Sequence, residues 1–184
     1  ALPPDKKSAY GELRQRLSKL GSKFGENVLD ATNAWSRQVT REQLQGLPET
    51  ALANARQAAL QAGLEDYLIN LEFPSLSPVL NYCDDRELRE EVYTANCTRA
   101  SEQGPNAGTW DNTALIAETL ELRSELAKLL GFGNYAELSL ATKMADTTDA
   151  VVAFLQQLAE QSLPQAEAER RELLEFARQN SGPL

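Results

Sequence analysis

Residues 112–131 read NTALIAETLELRSELAKLLG, and this stretch decides the fold class. Its apolar residues recur at the three- and four-residue spacing of a helix with one buried side. Asn112 is expected to cap the helix, and Gly131 to end it with Phe132 folding back over the last turn. Because this is the most apolar helix, we expect it to be central. Its apolar positions are Leu115, Ile116, Leu120, Leu122, Leu126, Leu129 and Leu130.

Two long amphipathic helices are predicted, one on each side of this stretch. The first covers about Pro4 to Asn33, where apolar residues recur every three or four positions. The last begins at Thr147 or Thr148, and Pro164 is expected to kink or break it near Glu160 because proline removes a helical hydrogen bond. Its predicted apolar face consists of Val151, Phe154, Leu155, Leu158, Leu173, Leu174 and Phe176.

Two short stretches alternate large apolar with polar residues, which is the period of a half-buried strand. They are residues 34–40 and residues 67–73, and Pro74 closes the second. We expect them to pair antiparallel across an intervening helix at residues 49–62, and to lie on helices because two strands alone are unstable. The predicted fold class is therefore mainly α, a helical array with a small two-stranded antiparallel β-ribbon.

The chain is predicted to be a single α-rich segment over residues 1–184. Residues 1–100 supply helices and the ribbon, residues 101–111 form a loop, and residues 112–184 supply further helices. Asp84 is expected to cap one helix while Glu87 reaches back to the cap, as in a capping box. The glycine-rich centre of the loop, residues 104–108, lacks the lysine and hydroxyl ending of a phosphate-binding loop. A surface loop is expected there.

Histidine is absent from all 184 residues. The commonest metal ligand, general base and triad partner are therefore missing together. Cys83, Cys97 and acidic side chains are the remaining zinc ligands, and the two cysteines are too far apart in sequence for the usual zinc spacing. We expect no catalytic residue, no cofactor-binding residue and no metal ligand in this chain.

Adjacent acidic residues are candidates for a pair of carboxylates that act as general acid and general base. Asp84 precedes Asp85, and Glu90 precedes Glu91. Neighbours on a helix point about 100° apart, so we expect caps and solvated faces here. The two cysteines are interpreted as a buried thiol pair, with a disulfide or a soft-metal pair as the alternative.

Other residues with potential chemistry have structural interpretations. Lys128 and Lys143 are predicted to lie on helix surfaces, and Trp35 and Trp110 to be packing anchors. Arg99 is expected to interact with the C-terminal end of a helix, and a fork for a carboxylate is the alternative.

Charge and hydropathy exclude two classes of partner. The net charge of −9 repels phosphate backbones and anionic lipid surfaces, so neither nucleic acid nor a membrane is expected as a partner. No apolar run approaches the ~20 residues that span a bilayer, and the first residues contain no signal-peptide core. The lone methionine is Met144, so we expect Ala1 to be a processed end or the edge of an excised segment.

Several stretches together match one family. They are TRASEQGPNAG (98–108) leading into WDN (110–112), LRSELAKLLGF (122–132), NYA (134–136) and SLATKMA (139–145), with NVLDAT (27–32) and LREEVY (88–93) upstream. The chain resembles the bacterial branch of the thimet-oligopeptidase family of zinc metallopeptidases over essentially its whole length. None of these stretches is a catalytic motif.

The resemblance implies a cytoplasmic metalloendopeptidase that cleaves short peptides in a channel between two mostly helical lobes. In that family zinc is bound by His-Glu-x-x-His and a later glutamate, and the motif's glutamate activates the metal-bound water. No residue of this chain corresponds to those positions, so zinc is expected in the parent enzyme and not in this segment.

We therefore expect an inactive segment of the channel wall, whose partners are the remaining lobes of the parent chain. Non-physiological self-association through the last helix is also expected, because apolar surface without its natural neighbours tends to pair. The alternative is a free-standing helical protein-interaction module with no enzymatic parent.

Overall fold

The computed structural model describes residues 3–181, and it confirms the predicted fold class. The helices are α1 (Pro4–Asn33), α2 (Glu49–Gln61), α3 (Phe73–Tyr82), α4 (Arg86–Cys97), α5 (Thr113–Leu129), α6 (Tyr135–Leu140) and α7 (Thr148–Ser181). Two strands, β1 (Ser36–Val39) and β2 (Tyr67–Asn70), pair antiparallel. The chain divides into two compact units, residues 1–122 and residues 123–184, and each is described by itself.

The ribbon contributes Val39 and Ile69 to the main hydrophobic cluster of the first unit. Ser36 pairs with Asn70 and Val39 with Tyr67, which sets the register. The main hydrophobic cluster joins the ribbon to α2, α3, α4 and the turn before α2. Its fourteen buried members are Trp35, Val39, Leu44, Leu47, Ala51, Leu52, Ala55, Ile69, Leu71, Val79, Cys83, Leu88, Val92 and Ala95.

The expectation that the leucine-rich helix is central is wrong for this cluster. No residue of α5 belongs to it, and Ile116 and Leu120 are exposed. Leu126 and Ala127 are the buried residues of α5. Helical spacing identifies an apolar arc, but the neighbouring elements decide which part of that arc is covered.

Both strands are shorter than predicted. β1 covers four residues of the predicted seven, and β2 ends at Asn70 because Phe73 already begins α3. Pro74 lies in the first turn of α3, where its missing N–H costs nothing. Pro74 therefore begins a helix and does not close a strand as predicted.

The structure corrects two predicted helix caps: the cap of α4 is one residue later than predicted, and Asn112 directly precedes α5 but does not cap it with its side chain. Asp85, not Asp84, accepts a hydrogen bond from the Leu88 N–H at 3.1 Å and caps α4. Asn112 is buried and its side chain bonds elsewhere, while the Asp111 Oδ1 accepts from the Thr113 hydroxyl at 2.6 Å and the Thr113 N–H at 2.8 Å. These bonds hold the pKa of Asp111 below its ordinary value.

The C-terminal end of α5 follows the prediction. Gly131 adopts a left-handed φ of 87°, which glycine tolerates without steric cost. The Phe132 N–H then donates to the Ala127 carbonyl at 2.9 Å, closing the last turn.

The last helix runs without interruption from Thr148 to Ser181 and contains Pro164 in its interior. The predicted break near Glu160 is therefore absent, although the proline supplies no N–H to that turn. The Thr147 Oγ1 caps its start by accepting from the Ala150 N–H at 3.1 Å. No helix within residues 3–181 combines the length and the apolar character that crossing a bilayer requires.

Candidate functional site

The two cysteines do not form the buried pair that was expected. Both are free thiols, and Cys83 is buried whereas Cys97 is exposed. The Cys83 Sγ donates to the Gln43 carbonyl at 3.1 Å. Burial raises the pKa of the Cys83 thiol, so this sulfur is held in its protonated, weakly nucleophilic form.

The acidic pairs of α4 are separated by their structural roles. Asp85 caps the helix, and the Glu91 Oε2 lies 3.4 Å from the Arg37 Nε of β1. Within residues 3–181 no group of three or more histidine, cysteine, aspartate or glutamate side chains is placed to bind a metal ion. These carboxylates hold elements in place and do not converge on a common point.

The basic candidates are also accounted for by local contacts. Lys128 is exposed in the last turn of α5. Lys143 lies just after α6, not on a helix as predicted, and its Nζ donates to the Ser139 Oγ at 2.8 Å. Both lysine side chains are exposed, and neither is held in a buried site.

Residues 98–112 form a loop held closely to the end of α4. Its first residues include Ala100, whose φ of 53° is left-handed. Gly104 also has a positive φ, of 82°, and a Cβ there would lie 1.9 Å from the Thr98 Oγ1. Glycine is therefore required at position 104 for both conformation and space. The Gly108 N–H donates to the Ser101 carbonyl at 3.0 Å, which closes the loop.

Two buried asparagines join this loop to α1. The Asn27 Nδ2 donates to the Asn112 Oδ1 at 2.8 Å, and the Asn112 Nδ2 donates to the Phe24 carbonyl at 3.2 Å. Asn27 is 6% exposed and Asn112 is 2% exposed, so both bonds satisfy polar groups that have little contact with solvent. The sequence interpretation missed Asn27, although it lies at helical spacing between buried Leu20 and Ala31.

Arg99 makes a second connection between the loop and α1. Its Nε donates to the Asn96 carbonyl at 2.9 Å, and its Nη1 donates to the Thr32 Oγ1 at 2.9 Å. The bond to Asn96 satisfies a carbonyl at the end of α4, as predicted for a charge at a helix C-terminus. No carboxylate pairs with Arg99 among the described residues. Trp35 lies in the core cluster nearby, as expected of an anchor, and Trp110 is half-buried.

A bidentate ion pair ties α1 to α5 at the surface. Both Arg16 Nε and Nη2 donate to the Glu118 carboxylate, and the Nη2–Oε2 distance is 2.7 Å. The hydrogen bonds from Arg16 hold the pKa of Glu118 below its ordinary value. Side-chain hydrogen bonds and this ion pair therefore connect α1 to the loop and to α5.

In the second unit, α7 carries a row of exposed apolar side chains. Leu155 and Leu173 are eighteen residues apart, as are Leu158 and Phe176, which is five full turns of an α-helix. All four project from one arc of about 60°, and each is between 46% and 68% exposed. The exposed large apolar residues of α7 are Val152, Phe154, Leu155, Leu158, Leu163, Leu173 and Phe176.

Comparison with known proteins gives consistent results. A family model described as Peptidase family M3 matches residues 79–183, which is more than half of the chain. The chain is 53% identical over 182 residues to oligopeptidase A of Haemophilus influenzae and 52% identical to oligopeptidase A of Escherichia coli, covering 98% of this chain and 27% of each relative. The probable cytosolic oligopeptidase A of Arabidopsis thaliana is 42% identical, covering 97% of this chain and 26% of that protein. The chain thus spans about a quarter of the length of these relatives.

Proposed function

The chain belongs to peptidase family M3, and on that basis we propose that it is a non-catalytic segment of an oligopeptidase that hydrolyses short peptides. The similarity to oligopeptidase A covers 98% of this chain but 27% of the relative, which leaves most of the relative's length for the chemistry. The observation that carries the proposal is the absence of histidine from a chain with such extensive similarity.

The metal centre of the peptidase belongs, in this proposal, to polypeptide outside these residues. Zinc binding needs three or four nitrogen, sulfur or carboxylate ligands within bonding distance of one point. The described residues provide no such cluster. This segment therefore does not fit the metal, and no catalytic step is assigned to it.

The proposed role is to form part of the wall of a channel that admits short, unfolded peptides. A wall must keep its shape while substrates pass, and side-chain hydrogen bonds between a loop and a helix are suited to that requirement. The Asn27–Asn112 pair and the Arg99–Thr32 bond hold one loop against a thirty-residue helix. We propose a cytoplasmic location for the parent enzyme, as in the relative named as a probable cytosolic enzyme.

The apolar arc of α7 is proposed to pack against the remaining lobes of the same peptidase. Single exposed apolar residues are common, but contiguous arcs on soluble proteins usually mark an interface. In the isolated chain the same arc would promote self-association. The charge of −9 opposes this, but at physiological salt the repulsion is screened beyond about 8 Å.

The test of this role compares two substitutions on α7. Leu158→Glu changes the apolar arc, and Gln157→Glu adds the same charge on the opposite, polar side. Both positions are exposed, so at concentrations where the 184-residue chain is monomeric neither variant should change its stability. In the longer peptidase, Leu158→Glu should lower the unfolding temperature while Gln157→Glu should not.

Two further measurements separate the alternatives. The purified chain should not hydrolyse a quenched fluorescent peptide and should carry no stoichiometric zinc. Zinc-dependent turnover that disappears with chelator would contradict the proposal. Light scattering across a concentration series should show association through α7. A strict monomer whose gene encodes no His-Glu-x-x-His beyond this stretch would instead favour a free-standing interaction module.

A further inference from the structure

The two edges of the β-ribbon differ in how their backbone groups are used. The Asn70 N–H of β2 donates to the Ser75 Oγ at 3.1 Å, away from β1. The Asp66 carbonyl, four residues earlier, accepts from the Arg56 Nη1 at 2.8 Å. Backbone groups alternate sides along an antiparallel strand, so even-numbered residues of β2 face outward and Tyr67 and Ile69 face β1.

The register then assigns the orientation of every residue in β1. Ile69 is opposite Arg37 and Tyr67 is opposite Val39, so Arg37 and Val39 form the hydrogen-bonded pairs. Ser36 and Gln38 therefore direct their N–H and C=O groups to the outer edge. Thr40 supports this orientation, because its N–H also points outward and is satisfied by the Gln43 Oε1 at 3.1 Å.

Ser36 and Gln38, the two residues of β1 that face outward, are thus left with free backbone groups. No partner within residues 3–181 bonds to the N–H or C=O of Ser36 or of Gln38. On β2, side chains bond the Asp66 carbonyl just before the strand and the Asn70 N–H at its end, so Leu68 is the one outward-facing residue there with neither backbone group bonded within residues 3–181. Natural sheets normally protect an exposed edge, so an edge left open in this way is a template for another strand.

We propose that this edge binds an extended peptide, which adds to the ribbon as a third strand antiparallel or parallel to β1. The inference rests on the proposed function, which supplies peptides as the ligand class. Free backbone groups of Ser36 and Gln38 would give affinity without regard to peptide sequence. This is the property required of an enzyme that handles many short peptides.

Side chains favour a reversible peptide over a permanent strand from the parent enzyme. Ser36, Arg37 and Gln38 are all exposed, and Arg37 pairs with Glu91 at the surface. A strand buried permanently on both sides is typically apolar. A polar edge remains soluble when the ligand leaves, whereas the apolar arc of α7 is suited to permanent burial.

The experiment measures amide hydrogen exchange by NMR in the 184-residue chain. The probe is a capped pentapeptide of alternating threonine and valine, and its control carries N-methyl groups on alternate amides, which cannot bond to a strand edge. The plain peptide should slow exchange of the Gln38 amide by at least about fivefold, because a new strand buries that donor. The Ile69 amide faces β1 and should be unaffected by either peptide.

A pair of variants tests the same edge by affinity. Gln38→Pro removes the outward N–H without removing a bond to β2, and proline is tolerated on edge strands. Gln38→Ala retains the N–H and is the matched control. Peptide binding should weaken at least about fivefold in the proline variant and stay within about twofold in the alanine variant.

Three results would overturn the proposal. They are an unchanged Gln38 amide with the plain peptide, equal slowing by the N-methylated peptide, and a Gln38 amide already protected in the longer peptidase without peptide. The last result would mean that a strand of the parent enzyme covers the edge. Peptide hydrolysis by the longer protein tests the proposed function separately, so either idea can fail while the other stands.

Discussion

The buried asparagine pair offers the sharpest test of how this segment is held together. Asn112→Leu replaces the amide with an apolar side chain of similar size, so the change removes hydrogen bonds without opening a large cavity. The Asn27 Nδ2, now 2.8 Å from its acceptor, would be left buried and unpaired. The bond from Asn112 to the Phe24 carbonyl would be lost as well.

The expected loss of stability can be estimated from those two changes. An orphaned buried polar group costs about 1–3 kcal/mol, and a lost hydrogen bond costs about 0.5–1.5 kcal/mol. Asn112→Leu should therefore lower the free energy of unfolding by about 2–4 kcal/mol. Asn27→Leu orphans the Asn112 Oδ1 and should cost about 1–3 kcal/mol for the same reason.

The double variant decides between a real pair and two independent polar residues. With both amides replaced, neither leaves the other unpaired, so the combined cost should be at least about 1 kcal/mol smaller than the sum of the single costs. Urea unfolding curves with unchanged slopes would supply the free energies. The exposed Asn33→Leu is a control expected within about 0.5 kcal/mol of the parent. Additive single effects, within about 0.5 kcal/mol, would refute the pairing.

Three other predictions test burial, reactivity and charge. Leu126→Ala should cost about 2–5 kcal/mol in urea unfolding because Leu126 is 2% exposed, and an unchanged midpoint would contradict its burial. Cys97 should react with a thiol reagent in the folded chain, whereas Cys83, buried and with a raised pKa, should react only on unfolding; two equally fast thiols would be the contrary result. Glu118 has a pKa below its ordinary value of 4.5, so its bonds to Arg16 stabilise the fold above that pH and are lost as pH falls through the lowered value. The stability advantage of the parent over Glu118→Gln should therefore shrink in acid, and a pH-independent difference between the two unfolding curves would exclude this linkage.

Helix positions followed from the sequence because their signals are local. Apolar spacing and chain breakers predicted α1 as Pro4–Asn33, which is the span observed. Gly131 ended α5 because a left-handed residue is needed there, whatever packs nearby. Such features depend on a few neighbouring residues and on backbone geometry alone.

Buried faces and caps did not follow, because they depend on residues distant in sequence. Asn112 has the chemistry of a cap, but Asn27, eighty-five positions away, takes its side chain into the interior. Asp84 and Asp85 have equal capping ability, and the bond of the Asp84 N–H to the Gln45 carbonyl accompanies the choice of Asp85. No local pattern contains this information.

Composition and similarity, not the fold, are the basis for proposing that this segment is non-catalytic. A fold can change the pKa of a residue or bring distant ligands together, but it cannot supply an imidazole that the chain does not contain. A helix of thirty-four residues extends about 51 Å, which is longer than a small unit can cover. An amphipathic pattern repeated over five turns of such a helix stabilises a protein only where another surface packs against it. The same chain leaves a polar strand edge open at Ser36 and Gln38, where no apolar gain enforces permanent contact. The two proposals therefore rest on surfaces of different chemistry: an apolar arc suits a permanent contact, and a polar strand edge suits a reversible one.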